Sequence, residues 1–206
     1  MLIEINMKST RTYTMTTRAE AVEATRTGIL DAVVRLSQER LLAEIGLDAV
    51  ADRAGVSVQT ILRHFGSRAA LIEIAARRAQ DAVVEERRAP VGDVPEAIRI
   101  LMDHYEERGA SVLLLLAQEA TEELVAGVTR SGKSLHRAWV EEVFAPHLLL
   151  GQAARDELVD LLVVATDVYT WKLLRLDRGL SRTRTQARME LLVRTVLTGL
   201  GTTPEK

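Results

Sequence analysis

Cysteine is absent from the 206 residues, which excludes disulfides, thiolate metal centres and cysteine nucleophiles. Proline is scarce, at four residues, and glycine sits mostly between periodic segments. No apolar run approaches the roughly 18–20 residues that span a bilayer; the longest is Val112–Ala117. The opening stretch MLIEINMKSTRTYTM lacks the apolar core of a secretory signal. No alternating strand pattern, internal repeat or low-complexity tract is present. The catalytic signatures are missing too: no glycine-rich phosphate loop, no H-E-x-x-H and no G-x-S-x-G. None of His64, His104, His136 and His147 has a glutamate three positions earlier, so a helical di-iron site is excluded. No catalytic residue, metal ligand or cofactor is expected, and the cytoplasm is the expected location.

What remains is a helical pattern. The chain is 47% hydrophobic and 27% charged, with a net charge of −2. The sign of the charge changes along it. Between residues 53 and 78, Arg53, Arg63, Arg68, Arg77 and Arg78 face Glu73 alone, whereas acidic residues outnumber basic ones beyond 89. A basic patch on an acidic body binds phosphate through one surface only. The fold class is all-α. Residues 1–17 read as a disordered tail, 18–88 as a three-helix domain with a connecting helix, and 92–203 as a second helical domain.

Periodicity predicts helices over 18–44, 47–54, 58–64 and 68–87. Beyond the break at Ala89-Pro90-Val91-Gly92 it predicts 94–108, 110–130, 136–149, 152–177 and 185–199. Within LDAVADRAGVSVQTILRHFGSR, Leu47–Arg68, Ala51 is small enough for a second helix to cross closely. Gly55 can take the positive φ of a sharp turn, and Ile61 is an apolar plug. Ser57 and Ser67 suit helix N-caps. This is helix-turn-helix spacing, in which the second helix enters the DNA major groove. The last two helices, about 154–200, carry more apolar surface than one hairpin needs, so they are the expected homodimer interface.

Val50–Ile72, VADRAGVSVQTILRHFGSRAALI, resembles the tetracycline-repressor family of bacterial regulators at Ala51, Ala54, Gly55, Val56, Ser57, Thr60, Ile61, His64, Phe65, Ser67 and Leu71. The run Trp171-Lys-Leu-Leu-Arg-x-Asp-x-Gly-Leu-Ser181 is similar to a stretch in the penultimate-helix region of many actinobacterial members. The resemblance implies a dimeric regulator, usually a repressor, that binds a palindromic double-stranded operator through a helix-turn-helix DNA-binding domain at 18–88 and responds to a small apolar effector through a ligand-binding and dimerisation domain at 92–203. Carried over residue by residue, DNA contacts fall on Ser57, Val58, Gln59, Thr60, Arg63, His64 and Arg68. Two positions depart from the pattern. Leu62 stands where an aromatic phosphate contact is common, and Ile45-Gly46 stands where a Ser or Thr caps the second helix.

Each candidate has a plainer alternative. Gln59 can pair bidentately with adenine or be a solvated side chain. Arg63 can reach guanine or phosphate. Thr60 can meet phosphate or a thymine methyl, and His64 can be structural. Arg68, a cation at a helix N-terminus, is misplaced against the dipole unless a phosphate docks there. In the body His104, Glu122, His136, Trp139 and Tyr169 are the expected ligand contacts, His136 and Trp139 forming a pair on one helix face. Asp167 either pairs with a base or faces a pocket. The competing reading is an all-helical small-molecule binder or enzyme with a vestigial helix-turn-helix, which Leu62 and the absent cap favour.

Overall fold

The computed structural model describes residues 7–149 and 151–199, with side chains from Arg18 onward. The described residues form helices joined by turns, with no strand among them. The chain divides into two compact units, Met1–Ala76 and Arg77–Lys206. The division falls within a helix, not at the Ala89–Gly92 break, which lies inside the second unit.

In the first unit, α1 (Met7–Glu39) precedes a 3-10 turn at Leu42–Glu44, then α2 (Leu47–Ala54) and α3 (Val58–Phe65) follow. α1 is displaced toward the N-terminus from the expected 18–44. Its helix already holds Met7, so the expected tail is helical from there, and residues 1–6 lie outside the described residues. At the other end, Ile45 N–H bonds Leu42 O in a tight 3-10 ring, closing the helical path before α2. α4 (Arg68–Glu86) starts in this unit and ends in the next.

The core of the first unit draws on α1, α2, α3 and the start of α4. Ile29, Ala32, Val33 and Leu36 of α1 are buried with Val50, Ala51, Ile61, Phe65, Leu71 and Ile72. Ile61 is fully enclosed. Helices as short as α2 and α3 do not persist alone in water, so this burial is what holds them. Each end is closed locally. Gly55 ends α2 at φ 67°, its N–H returning to Ala51 and Asp52 carbonyls. Ser57 Oγ accepts from Thr60 N–H at 3.1 Å, and Ser67 Oγ from Ala70 N–H at 3.1 Å. The N-cap of α2 is Gly46, with no side-chain cap, as the sequence predicts.

The second unit contains α5 (Val94–Leu116), α6 (Glu123–Val143), α7 (Gln152–Thr166), α8 (Val168–Lys172) and α9 (Arg182–Gly199). α9 packs on α5 and α7, α6 on α5 and α7, and α8 on α5. Ile98, Leu101, Met102, Val140, Phe144, Val159, Leu162, Met189 and Val193 fill the core. Asp93 caps α5 through Glu96 N–H at 3.1 Å, and Gly92 N–H reaches Val143 O at 2.8 Å.

Three expected helices between 94 and 149 are two. Gly109 does not stop α5. It is buried beneath Trp171, where an added Cβ would lie 2.6 Å from a ring carbon. The expected break at Ser131-Gly132 is also absent, because α6 runs through it. The real interruption falls at 117–122, where Thr121 Oγ1 and backbone N–H groups turn back on Gln118 O. Conversely, the helix expected over 152–177 is broken. Asp167 is extended at ψ 153° and caps α8 through Tyr169 N–H at 2.8 Å. A π turn, Leu173–Asp177, follows α8. Polar side chains that bond the backbone locally compete with the helical ladder at this point.

Candidate nucleic-acid interface and a buried polar cluster

α3 presents two chemically different faces. Ile61 and Phe65 point into the core. Ser57, Gln59, Leu62 and Arg63 are exposed, while Val58, Thr60 and His64 are half-buried. Ser57 and Thr60 hydroxyls lie 2.9 Å apart, so the cap also orients Thr60. The His64 ring lies tilted beside Phe65, centroids 6.0 Å apart. The face of Phe65 itself is covered by the Arg26 guanidinium at 4.9 Å. Neither Gln59 nor Arg63 makes a hydrogen bond or ion pair among the described residues. α3 therefore offers a short cap, an amide and a guanidinium outward from a buried anchor.

The basic surplus read from the sequence is smaller in three dimensions. Arg53 forms a two-pronged pair with Glu39, at 2.9 and 2.7 Å. Arg68 turns back into its own unit, donating Nε to Ile45 O at 2.7 Å and Nη2 to Leu42 O at 2.5 Å. Those carbonyls belong to the turn before α2, so Arg68 closes the connection that lacks a side-chain cap. Its unfavourable position against the helix dipole thus has an internal explanation.

In the second unit the expected ligand residues separate. His104, His136 and Trp139 come together; Glu122 and Tyr169 make no hydrogen bond, ion pair or ring contact with that group among the described residues. Glu122 sits at the N-cap of α6, and Tyr169 is half exposed on α8. What joins the other three is Arg87, which the sequence reading passed over. Its basic neighbour Arg88 and the following Ala89-Pro90 make the pair look like an ordinary helix end. No local signal distinguishes the one that turns inward.

Arg87 is 7% exposed. Its Nη2 lies 2.8 Å from His136 Nδ1, and its Cζ lies 4.6 Å over the Trp139 ring. Trp139 Nε1–H in turn donates to Arg87 O at 2.8 Å. Arginine has no acceptor, so His136 Nδ1 is the acceptor and its proton sits on Nε2. That N–H donates to Thr166 Oγ1 at 3.1 Å, and the Thr166 hydroxyl donates to Leu162 O at 2.7 Å. Tyr105 OH donates to Thr166 O at 2.8 Å, at the end of α7. The His136 ring stacks on Trp139 at an interplanar angle of 14°.

Burial and the neighbouring Arg87 charge push His104 and His136 each down to about 3, so both rings are neutral. Burial also pushes Tyr105 and Asp167 up. Asp167 forms no direct ion pair among the described residues, although the Lys133 and Arg87 charges act on it, and it caps α8. Two polar atoms of the cluster have no hydrogen-bond partner: Arg87 Nε and His104 Nδ1. A buried group left in that state costs about 1–3 kcal/mol. Among the described residues no three or more His, Cys, Asp and Glu stand together as metal ligands, and no helix is long and apolar enough to cross a membrane.

The first unit is thus a helix-turn-helix DNA-binding domain. Residues 29–75 match the model of the family described as bacterial regulatory proteins, tetR family. Over this segment the chain is similar to the tetR family of bacterial regulatory proteins. Solved structures share the fold well beyond it. A transcriptional regulator from Rhodococcus sp. Rha1 has a TM-score of 0.64 and 19% identity, covering 87% of this chain and 99% of that one. A tetR-family transcriptional regulator from Streptomyces coelicolor has a TM-score of 0.65 and 20% identity, covering 85% and 89%. A TetR transcriptional regulator from Rhodococcus sp. RHA1 has a TM-score of 0.51 and 17% identity, covering 85% and 97%. No curated protein matches the chain significantly.

Proposed function

We propose that the protein is a homodimeric repressor that binds a palindromic operator through α3 and is released by a small effector held in the second unit. The observation that carries this is α3 itself: Gln59 and Arg63 are exposed and unengaged while Ile61 and Phe65 anchor the helix. Gln59 would read a base edge, with Arg63 on guanine or phosphate, and Ser57, Val58, Thr60, His64 and Arg68 would complete the contact set. Two such helices must meet major grooves about 34–36 Å apart.

Dimerisation draws support from apolar residues left exposed toward the C-terminus. Leu161 and Val164 on α7 are 42% and 63% exposed, and Leu191 and Leu192 on α9 are 54% and 39%. Effector control would pass along α4, whose residues belong to both units, and would change the spacing of the two α3 helices. Moving occupancy from 99:1 to 1:99 requires the effector to prefer the released state by about 5.5 kcal/mol. A gel shift with DNA from upstream of the protein's own gene tests the reading. Retardation by the wild type that is weakened by Arg63→Ala supports it; no retardation favours a small-molecule binder with a vestigial motif.

A further inference from the structure

We propose that the cluster around Arg87 is the effector's anchoring site, and that the effector is an apolar molecule carrying a single carboxylate. This rests on the reading of the second unit as an effector-binding body and adds the chemistry of what it binds.

The cluster contains a guanidinium that is almost wholly withdrawn from water, yet among the described residues no carboxylate pairs with it. Buried cations are normally matched by an anion. Its one side-chain hydrogen bond runs to a neutral imidazole, His136, and its Nε–H has no partner. His104 presents a second unpartnered buried nitrogen, close enough that the Arg87 charge depresses its protonation. Glu86 does not meet the need. Its carboxylate is engaged by Arg108 and stays 3.9 Å from His104 Nδ1. Asp167 meets it only in part: its charge acts on Arg87 through space, but it forms no ion pair or hydrogen bond with the guanidinium, and its Oδ1 accepts from Tyr169 N–H.

The charge of the missing group follows from the same residues. Asp167 acts on Arg87 through space and already offsets part of its charge, so at most one further negative charge is balanced there, and a doubly charged phosphate would exceed it. The planar fork of arginine fits a carboxylate through two parallel N–H donors. Trp139, Tyr105 and Phe144 supply aromatic surface beside it, which suits an apolar remainder. The place is also one where the backbone is already interrupted. Tyr105 OH holds the Thr166 carbonyl, and α7 stops at that residue. Arg87 follows directly on α4, so drawing its guanidinium onto an anion pulls on the end of that helix.

The experiment is calorimetric titration and thermal shift of the full chain with decanoate, palmitate and phenylacetate, each against its primary amide. The carboxylates should bind at least about tenfold more tightly than the amides. Arg87→Met should abolish that preference. His104→Phe, a milder change, should weaken carboxylate binding while leaving amide binding alone. Carboxylates that release DNA in the gel shift would place the site in regulation. Equal binding of acids and amides overturns the anion site and leaves effector control standing. Binding of neither, with a cooperative melt retained in His104→Phe, overturns the anion site as well, and DNA retardation insensitive to every compound would count against effector control separately.

Discussion

Arg87 and the two histidines beside it are the residues whose chemistry departs most from that of their types. His104 and His136 are held neutral, near 3, whereas in the unfolded chain they titrate near 6.5. The unfolded state therefore binds protons that the folded state refuses. Stability is complete above about pH 6.5 and falls as the pH drops, by up to about 1.4 kcal/mol per pH unit for each histidine. Thermal melts should be level above neutrality and fall steadily between about pH 6.5 and 5, before the carboxylates titrate. His104→Phe should reduce that slope by about half; an unchanged slope would mean the imidazole is not shielded from protons. Ser57, Gly55, Ser67 and Ile61 are legible in the sequence, because a cap, a positive φ and a plug are local needs. Arg87 is not, because its burial depends on Trp139 and His136 some fifty residues away.

Among the elements, the α2–α3 pair and α9 appear where their spacing predicts, and the other long helices of the second unit do not. Glycine is the reason. Gly55 lies at φ 67° with open space around it, so it serves the turn. Gly109 lies within a helix and serves a neighbour, leaving room for Trp171. The two uses look alike in a sequence read residue by residue. Gly109→Ala should raise helix propensity by about 1 kcal/mol but force Cβ into the indole. The net outcome should be destabilisation by about 1–3 kcal/mol, measured by urea unfolding; a gain in stability would show that Trp171 moves freely. The break at Asp167 has a similar origin. Continuous apolar spacing from Leu158 to Leu176 suggests one helix, but Thr166 and Asp167 spend their side chains on backbone groups nearby.

For the whole molecule, the acidic balance of −2 is compatible with DNA binding because the contact face is small. With Arg53 paired to Glu39 and Arg68 partly committed to backbone carbonyls, few unengaged cations are left for phosphate, and modest affinity with a shallow salt dependence should result. The apolar residues exposed on α7 and α9 bear on assembly. Leu191→Glu and Val164→Glu should each convert a dimer to a monomer in sedimentation equilibrium, and each should weaken operator binding more than binding to a half-site. Variants that sediment like the wild type would move the interface elsewhere.

The most direct test is fluorescence anisotropy of the wild type, Gln59→Ala and Arg63→Ala on the upstream DNA across a salt series. Loss of a phosphate contact lowers the logarithmic salt slope by about 0.9, and loss of a bidentate base contact costs about 1–3 kcal/mol. Both variants should bind more weakly, with Gln59→Ala losing sequence preference and Arg63→Ala flattening the slope or relaxing guanine preference. Binding indistinguishable from wild type in both would contradict recognition through α3.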